Sequence, residues 1–207
     1  MRVRCPRCQR PDGHCLCAHI PALDSRTRIL ILQHPRESRH PWNTGRLAAL
    51  GLRNARLLVG ERFDPELWQN PALRHVLLFP GPTAVAPSPS LAPPGDRRHL
   101  QLVVPDGTWR KVRGLLSANP SLSALPRIML ADAPPSAYGV RKTREPGAVA
   151  TVEAIALTLA ALEAPTDFSP LLAPLRVLVE RQQASMARAE PRTCRKPEHE
   201  AGGRRGA

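Results

Sequence analysis

The chain has 207 residues and a mass of 22.7 kDa, room for one ordinary domain with a real core. Lys and Arg number 30 against 17 Asp and Glu, a formal charge of +13 that points to a polyanionic partner, nucleic acid first. Aromatics at 3% argue against folds that read single strands on rows of stacked rings, and 42% hydrophobic residues exclude a wholly disordered basic protein. No apolar segment follows the N-terminal MRVRCPRC, so no secretory leader is expected. The longest near-apolar stretch, Ala154 to Leu162, is interrupted by Thr158 and is too short to span a membrane. A soluble, cytoplasmic chain without an obligate protein partner is the expectation.

The first element is a cysteine cluster, Cys5-x2-Cys8-x6-Cys15-x-Cys17. Four thiolates at this spacing can close a tetrahedral zinc site, and four protein ligands leave no open position, so the metal would be structural. Arg4, Arg7 and Arg10 are expected to lower the thiol pKa values and to offset the charge of a tetrathiolate. A disulfide pairing is the plainer alternative, and an iron–sulfur cluster fits the compact loop less well. His14 and His19 stand in reserve as ligands. Residues 1–25 thus form a zinc-binding segment, 26–188 a catalytic-sized α/β body, and 189–207 a charged tail that carries no apolar face and holds the remaining Cys194.

Short apolar runs follow: Arg28–Gln33, Asn54–Val59, His75–Phe79, Leu100–Val104 and Arg127–Leu130. Their lack of alternation suits strands covered on both faces, as in a mostly parallel sheet. Helices are expected over Thr108–Ser117, with Trp109, Val112 and Leu116 on one face, and over Thr151–Glu163. A last helix runs from Pro174 to about Arg188 on a stripe of Leu175, Leu178, Val179 and Met186. The Pro/Ser-rich stretch from Ala86 to Arg98 reads as a loop within the body. Strands alternating with helices predict an α/β sandwich, with ligands beyond the carboxyl ends of the strands.

Four segments lie just after predicted strands and could converge there. They are Gln33-His34-Pro35-Arg36-Glu37 leading to Asn43-Thr44-Gly45-Arg46, then Phe79-Pro80-Gly81-Pro82-Thr83, then Asp106-Gly107-Thr108-Trp109, and last Tyr138-Gly139 leading to Ala150-Thr151-Val152-Glu153. Each has a plain structural reading. Asp106, Thr44 and Thr151 could be helix N-caps and Trp109 a core anchor. Pro80-Gly81-Pro82 could be a rigid turn. Glu153 comes too soon after Thr151 for a capping box and could instead favour the helix dipole. Arg141, Lys142 and Arg144 fit a solvated charge run and an RNA-phosphate role equally well.

The ordered set of the four cysteines, His34-Pro35-x-Glu37, Asn43-Thr44-Gly45, Asp106-Gly107-Thr108-Trp109 and Thr151-x-Glu153-Ala154 resembles the DTW-domain family. Within it, the set is similar to bacterial tRNA-uridine aminocarboxypropyltransferases, whose signature is Asp-x-Thr-Trp. The likeness runs from about Cys5 to the last helix. Ala150 is a departure, because such proteins often carry Ser there, where its hydroxyl could bond the co-substrate. Related ribosomal-RNA enzymes show a comparable Thr-Gly, Asp and Tyr-Gly, matched by Thr44-Gly45, Asp106 and Tyr138-Gly139.

The resemblance implies a SPOUT-like α/β fold with a deep trefoil knot, which general topology rules would not suggest. It implies that S-adenosylmethionine donates its 3-amino-3-carboxypropyl group to N3 of a tRNA uridine and that methylthioadenosine leaves. Asp106 would be the catalytic base, or would hold the amino group of the co-substrate. The co-substrate would sit among Thr44, Gly45, Phe79, Pro80, Gly81, Gly107, Thr108, Trp109, Tyr138, Ala150, Thr151 and Glu153. Arg36, Arg141, Lys142 and Arg144 would hold tRNA phosphates. The rival readings are a methyltransferase on the same fold and a non-catalytic, zinc-containing RNA-binding module.

Overall fold

A computed structural model describes residues 3–91, 96, 98–130 and 149–189. The apolar runs form one five-stranded sheet of β1 (Arg28–Gln33), β2 (Ala55–Val59), β3 (Leu73–Leu78), β4 (His99–Asp106) and β5 (Arg127–Ile128). The order is β2-β1-β4-β3-β5, and every pairing is parallel. β1 and β4 are central, and their register sets Gln33 directly beside Asp106 at the carboxyl ends.

The helices are α1 (Pro35–Ser38), α2 (Thr44–Gly51), α3 (Trp109–Ala118), α4 (Pro120–Ser123), α5 (Thr151–Leu162) and α6 (Ala173–Ala189). Alternate strand residues feed opposite faces. Ile29, Ile31, Leu102 and Val104 pack against α2, α5 and the start of α6. Leu30, Leu32, Leu77 and Val103 pack against Trp68 and against Val112, Leu115 and Leu116 of α3. Both faces are therefore covered, which is why the strands read as continuous apolar runs.

Three expectations shift. β4 extends two residues past Val104, because Pro105 and Asp106 stay in register with Leu32 and Gln33. β5 ends at Ile128 instead of Leu130, since the Met129 amide bonds the carbonyl of Val85, in the loop after β3. The apolar stripe of α6 stops at Val179. Leu175 and Val179 are buried, Leu178 is partly so, and Met186 is 54% exposed on the outer stretch of the helix.

The N-terminal segment is a small knuckle with 3-10 turns at Asp12–His14 and Cys17–His19. Gln9 takes a left-handed φ of 57°, which lets its amide return to the Cys5 carbonyl at 2.8 Å and tightens the first cysteine loop. Leu16 is fully buried, and Arg181 of α6 donates to the Cys15 carbonyl at 3.2 Å, so the knuckle is seated on the last helix. Among the described residues no helix is long and apolar enough to cross a membrane. The tail and Cys194 lie outside the described residues.

Candidate active site and metal centre

At the carboxyl edge of the sheet, one carboxylate gathers three loops. Asp106 is the last residue of β4 and is 7% exposed. Its Oδ1 accepts from the Thr151 hydroxyl at 2.5 Å, and its Oδ2 accepts from the Gln33 amide at 2.6 Å. Gln33 in turn exchanges two amide hydrogen bonds with Asn43, at 2.9 and 3.2 Å. Asn43 also donates to the Ser38 carbonyl and accepts from the Arg46 amide, which makes it the N-cap of α2. A Cβ at Gly45 would lie 2.5 Å from Asp106 Oδ2, so only glycine lets the first turn of α2 come this close. The first turn of α5 arrives through Thr151. The first turns of two helices therefore converge on one buried carboxylate.

The expected caps are each displaced, and the displacement frees side chains for the site. The N-cap of α3 is Thr108, with no side-chain cap bond, so Asp106 is not spent on capping. The N-cap of α2 is Asn43, which places Thr44, buried, at the first helical position. The N-cap of α5 is Ala150, so the Thr151 hydroxyl turns to Asp106 instead. This register also makes Glu153 the third helical residue, and its Oε2 accepts from the Ala150 amide at 2.7 Å. Glu153 is thus the carboxylate half of a capping box, contrary to the count made from Thr151. The other half is missing because alanine has no side-chain acceptor.

The second loop forms a separate wall. The rings of Phe79 and Trp109 lie 5.5 Å apart at 52°. Trp109 is half-buried and caps the end of the sheet, outside the cluster formed by Val112 and Leu116, so it is not the expected core anchor. Arg127 Cζ sits 5.7 Å from the Phe79 centroid, and the same side chain donates to the Pro80 carbonyl at 3.0 Å and abuts Gly81. Gly81 opens a turn closed by the Ala84 amide on its carbonyl at 3.1 Å, and Arg127 ties down the Pro80 carbonyl just before it. Gly107 fits between His34 and Lys111, whose Cβ atoms lie 3.6 and 3.2 Å from where its own would be, while Thr108 is exposed.

The His34-Pro35-x-Glu37 motif is also explained. His34 Nδ1 accepts from the Arg36 amide, capping α1, and its Nε2 faces Glu61 at 3.3 Å. Glu37 is buried and pairs with Lys111 Nζ at 2.5 Å, tying α1 to α3. Arg36 is exposed on α1. Tyr138, Arg141, Lys142 and Arg144 lie outside the described residues. Gln33 and Asn43 stand in the first of the four segments, but the sequence assigns them no role at the site. The only sequence signal for Gln33 is a polar residue closing an otherwise apolar strand.

The knuckle brings Cys5, Cys8, Cys15 and Cys17 together with all four Sγ atoms within 4.8 Å of one another. The Cys5–Cys17 and Cys8–Cys15 separations are 3.6 and 3.7 Å. A tetrahedral zinc with Zn–S near 2.3 Å has S···S edges of about 3.8 Å. The thiols are free of disulfides, and the cluster could hold a metal ion. The Cys5 thiol is lowered to about 6, chiefly by the backbone amides of Cys8 and Arg7. Backbone donors, not guanidinium groups, therefore set that shift. Arg4 and Arg7 instead donate to the carbonyls of Gln9 and Cys17. Burial and the neighbouring sulfurs push Cys17 up to about 12.

This arrangement can be set beside known proteins. The DTW domain matches residues 2–183. A Drosophila melanogaster protein named tRNA-uridine aminocarboxypropyltransferase 2 is 31% identical over 192 residues, covering 87% of this chain and 75% of its own length. An Arabidopsis thaliana protein named tRNA-uridine aminocarboxypropyltransferase A is 30% identical over 78% of this chain and 73% of its own. A Macaca fascicularis relative, also named tRNA-uridine aminocarboxypropyltransferase 2, is 28% identical, and the match spans 62% of its length. These relatives are eukaryotic, so the likeness reaches beyond the bacterial members to which the motifs pointed. No solved structure matches the chain. The match from the cysteine knuckle into the last helix takes in Asp106 together with Gln33 and Thr151, and the chain belongs to the DTW-domain family.

Proposed function

We propose that this protein is a tRNA-uridine aminocarboxypropyltransferase, moving the 3-amino-3-carboxypropyl group of S-adenosylmethionine to N3 of a tRNA uridine. The observation that carries the reading is the Asp106 carboxylate, buried at the carboxyl end of a central strand and held by Gln33 and Thr151. The names of the relatives supply the reaction class. The wholly parallel, non-sequential sheet supports a SPOUT-like fold, and the deep trefoil knot belongs to the same reading. Zinc is the metal we assign to the four cysteines, in a structural role, because its sulfur preference and edge length suit the site.

The residues present suit S-adenosylmethionine. A buried carboxylate offers a counter-charge to a cationic group, and the Phe79–Trp109 pair offers an aromatic wall to a purine. Thr44, Gly45, Pro80, Gly81, Ala150 and Thr151 would complete the co-substrate site in this reading. When bound, S-adenosylmethionine supplies a sulfonium that makes its adjoining carbons electrophilic.

The protein's task is then to choose one carbon by position, a proximity effect worth up to several kcal/mol. Asp106 takes the N3 proton of the uridine as N3 attacks Cγ. The Cγ–S electron pair stays with sulfur, and neutral methylthioadenosine departs. Gln33 and Thr151 occupy one lone pair on each Asp106 oxygen and so fix the plane of the carboxylate. Glu153 keeps the start of α5, and hence Thr151, in place.

Incubation of the protein with unmodified tRNA and S-adenosylmethionine, then mass spectrometry of the digested nucleosides, tests the reading. Uridine heavier by one aminocarboxypropyl group, with methylthioadenosine released, is the expected result. A methylated nucleoside with S-adenosylhomocysteine would overturn the chemistry and keep the pocket. Tightly bound tRNA without S-adenosylmethionine binding would leave only an RNA-binding module.

A further inference from the structure

A concavity lies on the knuckle side of the Asp106 site and shares only Asn43 and Arg46 with the four loops. It is a cleft of about 310 Å³ between the cysteine knuckle, the segment joining α1 to α2, and the outer half of α6. Arg4, Arg10, Arg39, Arg46 and Arg181 line it, with His14 and His40, and among the described residues no Asp or Glu lines it. Among the described residues neither Arg39 nor Arg46 pairs with a carboxylate. Arg46 Nε is shut off from solvent and has no hydrogen-bond partner. Burying part of a guanidinium without a partner costs free energy that nothing in the described chain returns. That burial also pulls the Arg46 pKa down, an effect partly opposed by Cys8. An anion entering the cleft would supply the counter-charge that the part-buried guanidinium lacks.

The cleft also has an address. Its inner wall includes Asn43, whose side chain bonds Gln33, which bonds Asp106. The ring of Trp42 stands next to it on the same wall. A strand with its phosphates among the arginines would run past Asn43, which two successive side-chain hydrogen bonds, through the buried Gln33, join to the Asp106 carboxylate. Free phosphate would satisfy one guanidinium. Several arginines around one cleft, with Arg39 and Arg46 unpaired with any described carboxylate, fit a polyphosphate backbone better.

We propose that the cleft between the cysteine knuckle and α6 holds the phosphate backbone of the substrate RNA, with Arg39 and Arg46 as phosphate ligands. This rests on the reading of the protein as a tRNA-modifying enzyme and places its main RNA contact on the knuckle side of Asp106.

The test uses the full chain, metal-loaded, with unmodified tRNA. Dissociation constants are measured against KCl concentration for the wild type, Arg39→Gln, Arg46→Gln and the control Arg56→Gln, which is exposed on edge strand β2 and absent from the cleft. Metal content, melting temperature and S-adenosylmethionine affinity are recorded alongside. Each cleft variant is expected to weaken tRNA binding about fivefold or more near 0.1 M salt, and to flatten the slope of log K against log salt by roughly 0.7–0.9 per lost contact. The control is expected to keep the wild-type slope, and S-adenosylmethionine affinity to hold throughout.

Wild-type slopes in folded, metal-loaded cleft variants would overturn the cleft while leaving the transferase reading intact. Loss of metal from Arg46→Gln, with Arg39→Gln binding normally, would reduce the arginines to counter-charges for the cysteine cluster and overturn it as well. Wild-type protein that neither binds nor modifies tRNA would overturn the underlying reading instead.

Discussion

Asp106 is short, buried and held on both oxygens, so its position is well defined. Asp106→Asn keeps the shape and removes the acceptor for the N3 proton. Transfer is expected to fall by about 10²–10⁴-fold, the usual worth of a positioned general base. Circular dichroism and the melting temperature should stay close to wild type, and near-normal turnover by the folded variant would remove Asp106 from the mechanism. Asp106 and Thr151 were legible in the sequence because their motifs stand out there. Gln33 and Asn43 were not, since an amide is recruited to a carboxylate only when strand register and a helix start bring them together. No spacing along the chain encodes the Gln33–Asp106 pairing, 73 residues apart.

The helix starts show how single-residue boundaries carry chemistry. Each cap was expected one or two residues from where it falls, and the difference decides whether Thr151 caps a helix or orients Asp106. Strand positions were legible because apolar runs covered on both faces have no other place to go. Their ends were not, because register with a neighbour extends β4 and a loop residue truncates β5. The half-built capping box at Ala150 gives a clean prediction. Ala150→Ser supplies the missing acceptor and is expected to stabilise the fold by about 1 kcal/mol, or a few degrees in melting temperature. An unchanged KM for S-adenosylmethionine would assign a serine there to helix capping. A lowered KM without stabilisation would assign it to the co-substrate.

On the scale of the whole molecule, the charge surplus announced a polyanion, but only folding shows that arginines far apart in the chain share one cleft. The cysteine cluster was legible because metal-ligand spacing is local, whereas its seat on α6 was not. One zinc per chain is expected by elemental analysis. Metal binding must take the proton from Cys17, raised to about 12, so affinity climbs with pH and weakens on acidification. Dialysis against a chelator at pH 5 should therefore strip the metal faster than at pH 7.5, and equal loss at both would contradict a thiolate site.

The seating of the knuckle on α6 also sets an order of events during synthesis. The cysteines leave the ribosome first and can take up their metal while the sheet is still being made, because all four ligands lie within thirteen residues. Arg181, which fastens the knuckle, arrives 166 residues after Cys15. The cleft takes its walls from residues near both ends of this span, so a nascent or truncated chain can own a metal centre and a sheet without yet having a groove. Only a chain that extends through α6 presents these arginines as one surface.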